Sequence, residues 1–259
     1  MSGLQVVNLS KKYGSFYAVK NINFQVNSGE IFGFLGPNGA GKTTTINMIT
    51  GLLQPNSGHV ILDDQKFYDD PLRAKKIVGY APDSPVLYEK LRLSEFIDFI
   101  ISIYDLDAEK AWKRGGELLE LFDLNKEVDS LLGSFSRGMK QKAALTTALI
   151  TDPQILVLDE PTNGLDPLSV RRLKDLLVRE AERGKAILMS THILEIAEKM
   201  SHRIGIIQSG QLVASGTIDE LRELKTASTA PHGETTESAE DLENLFLQLT
   251  GGDGHDYLE

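Results

Sequence analysis

The chain has 259 residues, 41% of them hydrophobic and 25% charged, enough to bury a core and without the bias of a disordered or fibrous chain. It contains no cysteine, which excludes disulfide frameworks and thiolate chemistry and fits a reducing, cytoplasmic setting. Its net charge is −10, but eight acids and no Lys or Arg fall after residue 225, so the body is close to neutral and no nucleic-acid partner is expected.

The opening "MSGLQVVNLSKKYG" lacks the apolar core of a secretory signal. It reads instead as a strand, followed by a second period-2 run, "AVKNINFQV", with Ile22, Phe24 and Val26 on one face. Asn27-Ser28-Gly29 forms a turn, and "EIFGFLG" is a short apolar run suited to a buried strand. The loop "GPNGAGKTT" comes next, then a helix expected from Lys42 to Thr50 and stopped by Gly51. "HVILDD" and "IVGYAP" read as further strands. From about residue 91 to 151 the periodicity turns helical in "LSEFIDFIISIY", "DAEKAWKRGGELLELF" and "RGMKQKAALTTALIT", with Gly115-Gly116 weakening the second. "FIDFIISIY" is too short to cross a bilayer and carries Asp98, so any membrane role requires a partner.

Strand and helix then alternate: "QILVLDE", "PLSVRRLKDLLVREAE" ended by Gly184, "KAILMS", "ILEIAEKM", and a hairpin "RIGIIQSGQLVAS". Thr217 and Glu220 form a capping box for a last short helix. The order predicts an α/β core with an N-terminal antiparallel β subdomain and a helical insert. Residues 1–224 form the domain in this reading. Residues 225–238 read as a linker, "AEDLENLFLQL" as a helix capped by Ser238, and the last residues as a tail.

The loop from Gly36 through Pro37, Asn38, Gly39, Ala40, Gly41 and Lys42 to Thr43 and Thr44 has the spacing GxxxxGK[ST]. Its glycines let successive backbone N–H groups converge on phosphate oxygens, and the helix start after it adds partial positive charge. Lys42 supplies an ammonium for the β- and γ-phosphates and Thr43 a hydroxyl for Mg²⁺. In "ILVLDEP", Asp159 ends a buried strand where it can orient a Mg²⁺ ligand, and Glu160 can polarise an attacking water. A phosphate-loop GTPase is disfavoured, because "NKEV" at residues 125–128 lacks the closing Asp of a guanine reader.

"FSRGMKQK" at 135–142, "NGLDP" at 163–167 and "STH" at 190–192, with Tyr13 and the phosphate loop, resemble the ATP-binding-cassette ATPases, the nucleotide-binding subunits of ABC transporters. The resemblance spans about residues 4–224 and implies a phosphate-loop ATPase fold using ATP and Mg²⁺. By that resemblance Tyr13 stacks on adenine, and Ser136 and Gly138 meet the γ-phosphate held by a second ATPase subunit. Asp166 communicates across the dimer, and His192 contacts the γ-phosphate and helps hold Glu160. An integral membrane transporter subunit is the other implied partner, docked at residues 83–93, with the chain peripheral on the inner face of the membrane. Two departures stand out. The signature reads Phe135-Ser136-Arg137-Gly138-Met139, a variant similar to ABC-2-type exporters, and Asp83 stands where the family has a glutamine reaching Mg²⁺. A non-transport ATPase acting as an ATP-dependent clamp is the alternative, without the long coiled coils or tandem cassettes that such relatives have.

Overall fold

The computed structural model describes residues 2–228 together with residues 244, 246, 247 and 249. In chain order the elements begin with β1 (Ser2–Tyr13), β2 (Phe16–Asn27), β3 (Ile31–Leu35), α1 (Lys42–Ile49), β4 (Ser57–Leu62) and β5 (Gln65–Lys66). Next come α2 (Pro71–Ile77), β6 (Val78–Ala81), α3 (Leu93–Tyr104), α4 (Ala108–Leu121) and α5 (Arg137–Ile150). The rest are β7 (Ile155–Leu158), α6 (Pro167–Glu182), β8 (Ala186–Thr191), α7 (Leu194–Met200), β9 (Arg203–Gln208), β10 (Gln211–Gly216) and α8 (Ile218–Ser228).

Two sheets result. The first is antiparallel in the order β2-β1-β4-β5; the second runs β10-β9-β3-β8-β7-β6, parallel except for the β9–β10 hairpin. The central strands β3, β7 and β8 are buried at every position, as expected where both faces are covered. One face packs with α1 against the antiparallel sheet through Phe24, Phe32, Phe34, Ile46 and Ile49. The other face carries α6 and the helical insert, with Phe96, Ile97, Leu118, Phe122, Leu145 and Leu173 in one apolar cluster. Because β3, β6, β7 and β8 run the same way, the segments leaving their carboxyl ends gather at one edge, where ligands of open α/β sheets bind.

Most elements match the sequence expectations, and the departures have local causes. The segment "PLRAKKI", without a helical expectation, forms α2: the Asp70 side chain accepts from the Arg73 N–H and Pro71 occupies the first turn. The Gly115-Gly116 pair does not interrupt α4, because Gly115 lies against α5, where a Cβ would meet Ile150 Cδ1 at 2.8 Å. The Thr217–Glu220 capping box forms in both directions, and the helix it opens runs to Ser228, into the stretch read as linker. Of the expected terminal helix, residues 244, 246, 247 and 249 are helical and Phe246 is buried beside Leu35, Ile204, Ile206 and Leu221. The remainder of that expectation, with its Ser238 cap, lies outside the described residues.

The tip of the β9–β10 hairpin joins three parts of the core. Gly210 accepts a hydrogen bond from the Lys20 N–H of β2 at 2.8 Å and donates its own N–H to the Ala40 carbonyl at 2.9 Å. It has φ +77°, and a Cβ there would lie 2.6 Å from the Ala18 carbonyl oxygen, a position that only glycine fills without strain. Among the described residues no helix is long and apolar enough to cross a membrane.

Candidate functional site

A cleft of about 470 Å³ opens at the carboxyl edge of the parallel sheet. It is lined by Tyr13, Asn38, Gly39, Gly41, Lys42, Thr43, Thr44, Asp83, Glu160 and His192, and also by Phe16, Ala18 and Asn163. Ten residues singled out in the sequence thus converge from β1, the phosphate loop, and the segments after β6, β7 and β8. The loop turns into α1 at Gly41, which is left-handed at φ 108°. The side chain of Lys42 is buried and folded back: its ammonium donates to the Gly36 carbonyl at 2.6 Å and the Pro37 carbonyl at 3.2 Å. It also lies 3.3 Å from Glu160 Oε1. Carbonyl and carboxylate oxygens therefore surround Lys42 Nζ, the kind of anionic surround that phosphate oxygens would provide.

The two acids after β7 are held apart in role by their surroundings. Asp159 is buried, its Oδ1 accepting from the Ser190 hydroxyl at 2.5 Å and its carboxylate also hydrogen-bonded to Thr43. Burial raises its pKa; the Ser190 and Thr43 hydrogen bonds oppose the rise, and the nearby charges of Glu160 and Asp83 add to it. Glu160 adopts φ 47°, a left-handed conformation uncommon for a residue with a Cβ and found most often at functional positions. Its N–H donates to Ser190 Oγ at 2.9 Å, and its Oε2 lies 2.9 Å from His192 Nδ1. Glu160 is thereby clamped between Lys42 and His192.

Ser190 was not assigned a role in the sequence, although "STH" contains it. It is fully buried, donates to the Asp159 carboxylate and accepts from the Glu160 N–H, a pairing that the register of β8 against β7 brings about. Phe16 was also passed over. It is the register partner of Tyr13 across the first hairpin, and both rings stand largely exposed at the cleft mouth. The Lys11 ammonium lies 5.5 Å above the Tyr13 ring.

Gly36, Pro37, Ala40 and Asp159 support the cleft without lining it, whereas Ser136, Gly138 and Asp166 stand outside it. The Ser136 hydroxyl caps α5, accepting from the Met139 N–H at 3.3 Å. Gly138 is pressed onto the loop after Glu160, where a Cβ would meet the Gly164 carbonyl oxygen at 2.4 Å. Asp166 caps α6, accepting from the Ser169 N–H at 2.8 Å and the Ser169 hydroxyl at 2.6 Å, and pairs with Lys142 at 3.1 Å. The Ser169 hydrogen bonds foremost, with Lys142, hold its carboxyl well below the usual range. For a cation, the groups that could serve as donors are the Thr43 hydroxyl, Asp159 and Asp83. Among the described residues no group of three or more His, Cys, Asp or Glu forms a metal cage. One hydroxyl and two carboxylates would fit magnesium, which takes few carboxylates and completes its shell with phosphate and water.

Known proteins resemble this arrangement over nearly its full length. The profile of the ABC transporter family matches residues 19–163. The ABC-type transporter ATP-binding protein EcsA of Bacillus subtilis (strain 168) is 37% identical over 257 residues, 99% of this chain and 100% of its own length. The bacitracin transport ATP-binding protein BcrA of Bacillus licheniformis is 37% identical over 220 residues, 85% of this chain and 71% of its own. Among solved structures, an ATP-binding subunit of an ABC transporter superposes with a TM-score of 0.86 at 33% identity, covering 95% of this chain and 98% of that one. A dimeric ATP-binding cassette bound to ADP and Pi in a post-hydrolysis state gives 0.74 at 28% identity, covering 83% and 98%. With a phosphate loop, two acids and a histidine meeting at the carboxyl edge of a cassette sheet, the chain belongs to the ABC transporter family as an ATP-binding subunit.

Proposed function

We propose that the chain hydrolyses ATP as one of two cassettes facing head to tail, and that closure of the pair drives a separate integral membrane subunit. The observation that carries this reading is the division of the assigned residues between two surfaces. Lys42, Thr43, Glu160 and His192 share one cleft, while Ser136 and Gly138 stand outside it at the exposed start of α5. Each chain then offers a cleft and, elsewhere, the turn that completes a second chain's cleft.

In that pair, Tyr13 and Phe16 receive the adenine ring and the loop from Gly36 to Thr44 wraps the phosphates. Lys42 exchanges its contacts with the loop carbonyls and Glu160 for phosphate oxygens. Freed from Lys42, Glu160 takes a proton from the attacking water while His192 holds its carboxylate in place. The water oxygen bonds to the γ-phosphorus as the bond to the β-phosphate oxygen breaks. Thr43 and Asp159, with Asp83, would hold Mg²⁺, which when bound neutralises charge on the phosphate oxygens. Ser136 and Gly138 of the second chain, with Asp166 at the seam, engage only while a γ-phosphate is present.

The segment 83–93 is the proposed seat of the membrane subunit. Val86 and Tyr88 are exposed there, and the Tyr88 ring packs 6.1 Å from Phe96 and 5.4 Å from Phe99, an apolar surface that a partner would cover. The chain then lies on the cytoplasmic face of its membrane, with residues 1–224 as the ATPase domain, its helical subdomain at about 91–151, and 225–259 as an appendage. The signature variant and the likeness to a bacitracin transport protein favour export.

A Glu160→Gln variant tests the reading. It is expected to bind ATP, to lose phosphate release and to accumulate as an ATP-dependent dimer by light scattering. Hydrolysis at the wild-type rate would remove Glu160 from the mechanism.

A further inference from the structure

Asp83 stands where the resembled family has a glutamine, and Arg137 lies within the variant signature, so an acid and a base fall among the chain's departures from that pattern. The structure brings them together. Asp83 Oδ1 accepts from Asn163 Nδ2 at 2.7 Å and lies 3.7 Å from the Arg137 guanidinium. One carboxylate oxygen thus joins the segment after β6, the loop after Glu160 and the first turn of α5. The contacts continue on either side. The Asn163 N–H donates to the Glu160 carbonyl at 3.1 Å, the stem of Arg137 lies along Gly164, and Gly138 presses on the Gly164 carbonyl. A guanidinium at the first position of a helix faces the positive end of its dipole, so α5 gains from a carboxylate placed there.

We infer that Asp83 and Arg137 are paired positioning residues that seat the first turn of α5 on the 163–166 loop of its own chain. The state of one chain's cleft, which Asp83 and Asn163 line, then passes to the Ser136–Gly138 turn presented to a second chain. This rests on the head-to-tail pairing proposed above. Both side chains are partly exposed, at 67% for Arg137 and 37% for Asp83. Such pairs contribute modestly, so the expected effect on association is about 2- to 5-fold.

The test uses the full chain carrying Asp83→Asn, Arg137→Gln, the two together, and Arg137→Lys. Asparagine keeps an acceptor for Asn163 and removes only the charge. Association is followed by light scattering with ATP in a Glu160→Gln background, and thermal midpoints are measured without nucleotide. Each single change is expected to weaken association about 2- to 5-fold, the double change no further, and Arg137→Lys to stay near the parent. Molar salt should shrink the gap between parent and variants. Additive losses in the double variant would overturn the inference. So would a silent Arg137→Gln beside an Asp83→Asn that alone shifts Mg²⁺ dependence, because Asp83 would then serve the metal only. Should the Glu160→Gln parent fail to associate, the pairing mechanism falls. The nucleotide-free midpoints still decide whether Asp83 and Arg137 are coupled, and additive midpoints would discard the pair as well.

Discussion

Asp159 shows how a single group can be costly to the folded chain while standing beside the candidate site. Burial lifts its pKa above the ordinary 3.8, so the folded state holds its proton more tightly than the unfolded state does. The native chain therefore loses stability as pH rises from 3.8 through the folded value, and at neutral pH it carries the full cost of the buried charge. Asp159→Asn is expected to raise the nucleotide-free melting temperature at neutral pH while cutting ATP hydrolysis by at least about 100-fold. Calorimetry and phosphate release measure the two halves. A lower melting temperature would mean that the Ser190 and Thr43 hydrogen bonds outweigh the burial of charge. That Lys42 and Glu160 would meet, with Asp159 beside them, could be expected from residue types and spacing suited to phosphate chemistry. Ser190 was not legible, since its role arises from facing two acids across adjacent strands, a relation that no spacing along the chain records.

At the scale of elements, the helical insert is fastened to the core far from the cleft by a second ionic cluster. Arg114 of α4 reaches Glu180 of α6 at 3.0 Å and Asp152 at 3.4 Å, and Lys185 binds the same two acids at 2.9 and 2.5 Å. Burial works to raise the pKa of Glu180, but Lys185 and Arg114 outweigh it and leave the carboxyl below its ordinary 4.5. A lowered native value means that this stabilisation is full above pH 4.5 and is lost as pH falls through the native pKa. Glu180→Gln leaves Lys185 buried with one acid fewer. It should cost about 3 kcal/mol at neutral pH, the gap to wild type narrowing below pH 4.5 in urea unfolding. A gap independent of pH would deny the ionic origin. The helices themselves were readable from periodicity, whereas α2 was hidden by its brevity between two strands. The glycine pair weakened the expectation of α4, which forms all the same with Gly115 set where Ile150 of α5 comes close, a contact between helices.

The whole molecule is organised so that strands distant in sequence supply one edge with chemistry, and its fold class could be read in advance from the order of strands and helices. What could not be read is which segment, distant in sequence, holds the phosphate loop in place. The glycine at the tip of the β9–β10 hairpin, some 170 positions downstream, ties β2 and Ala40 with two backbone hydrogen bonds. It works as a remote keystone. A change there alters no group that touches nucleotide, yet it should slacken the curve of the loop that grips it. Gly210→Val is expected to weaken ATP binding about tenfold by titration calorimetry, through roughly 1–3 kcal/mol of backbone strain. Mutations that weaken this cassette's hold on ATP can therefore lie outside the phosphate loop, on a hairpin tip that shares its edge of the sheet.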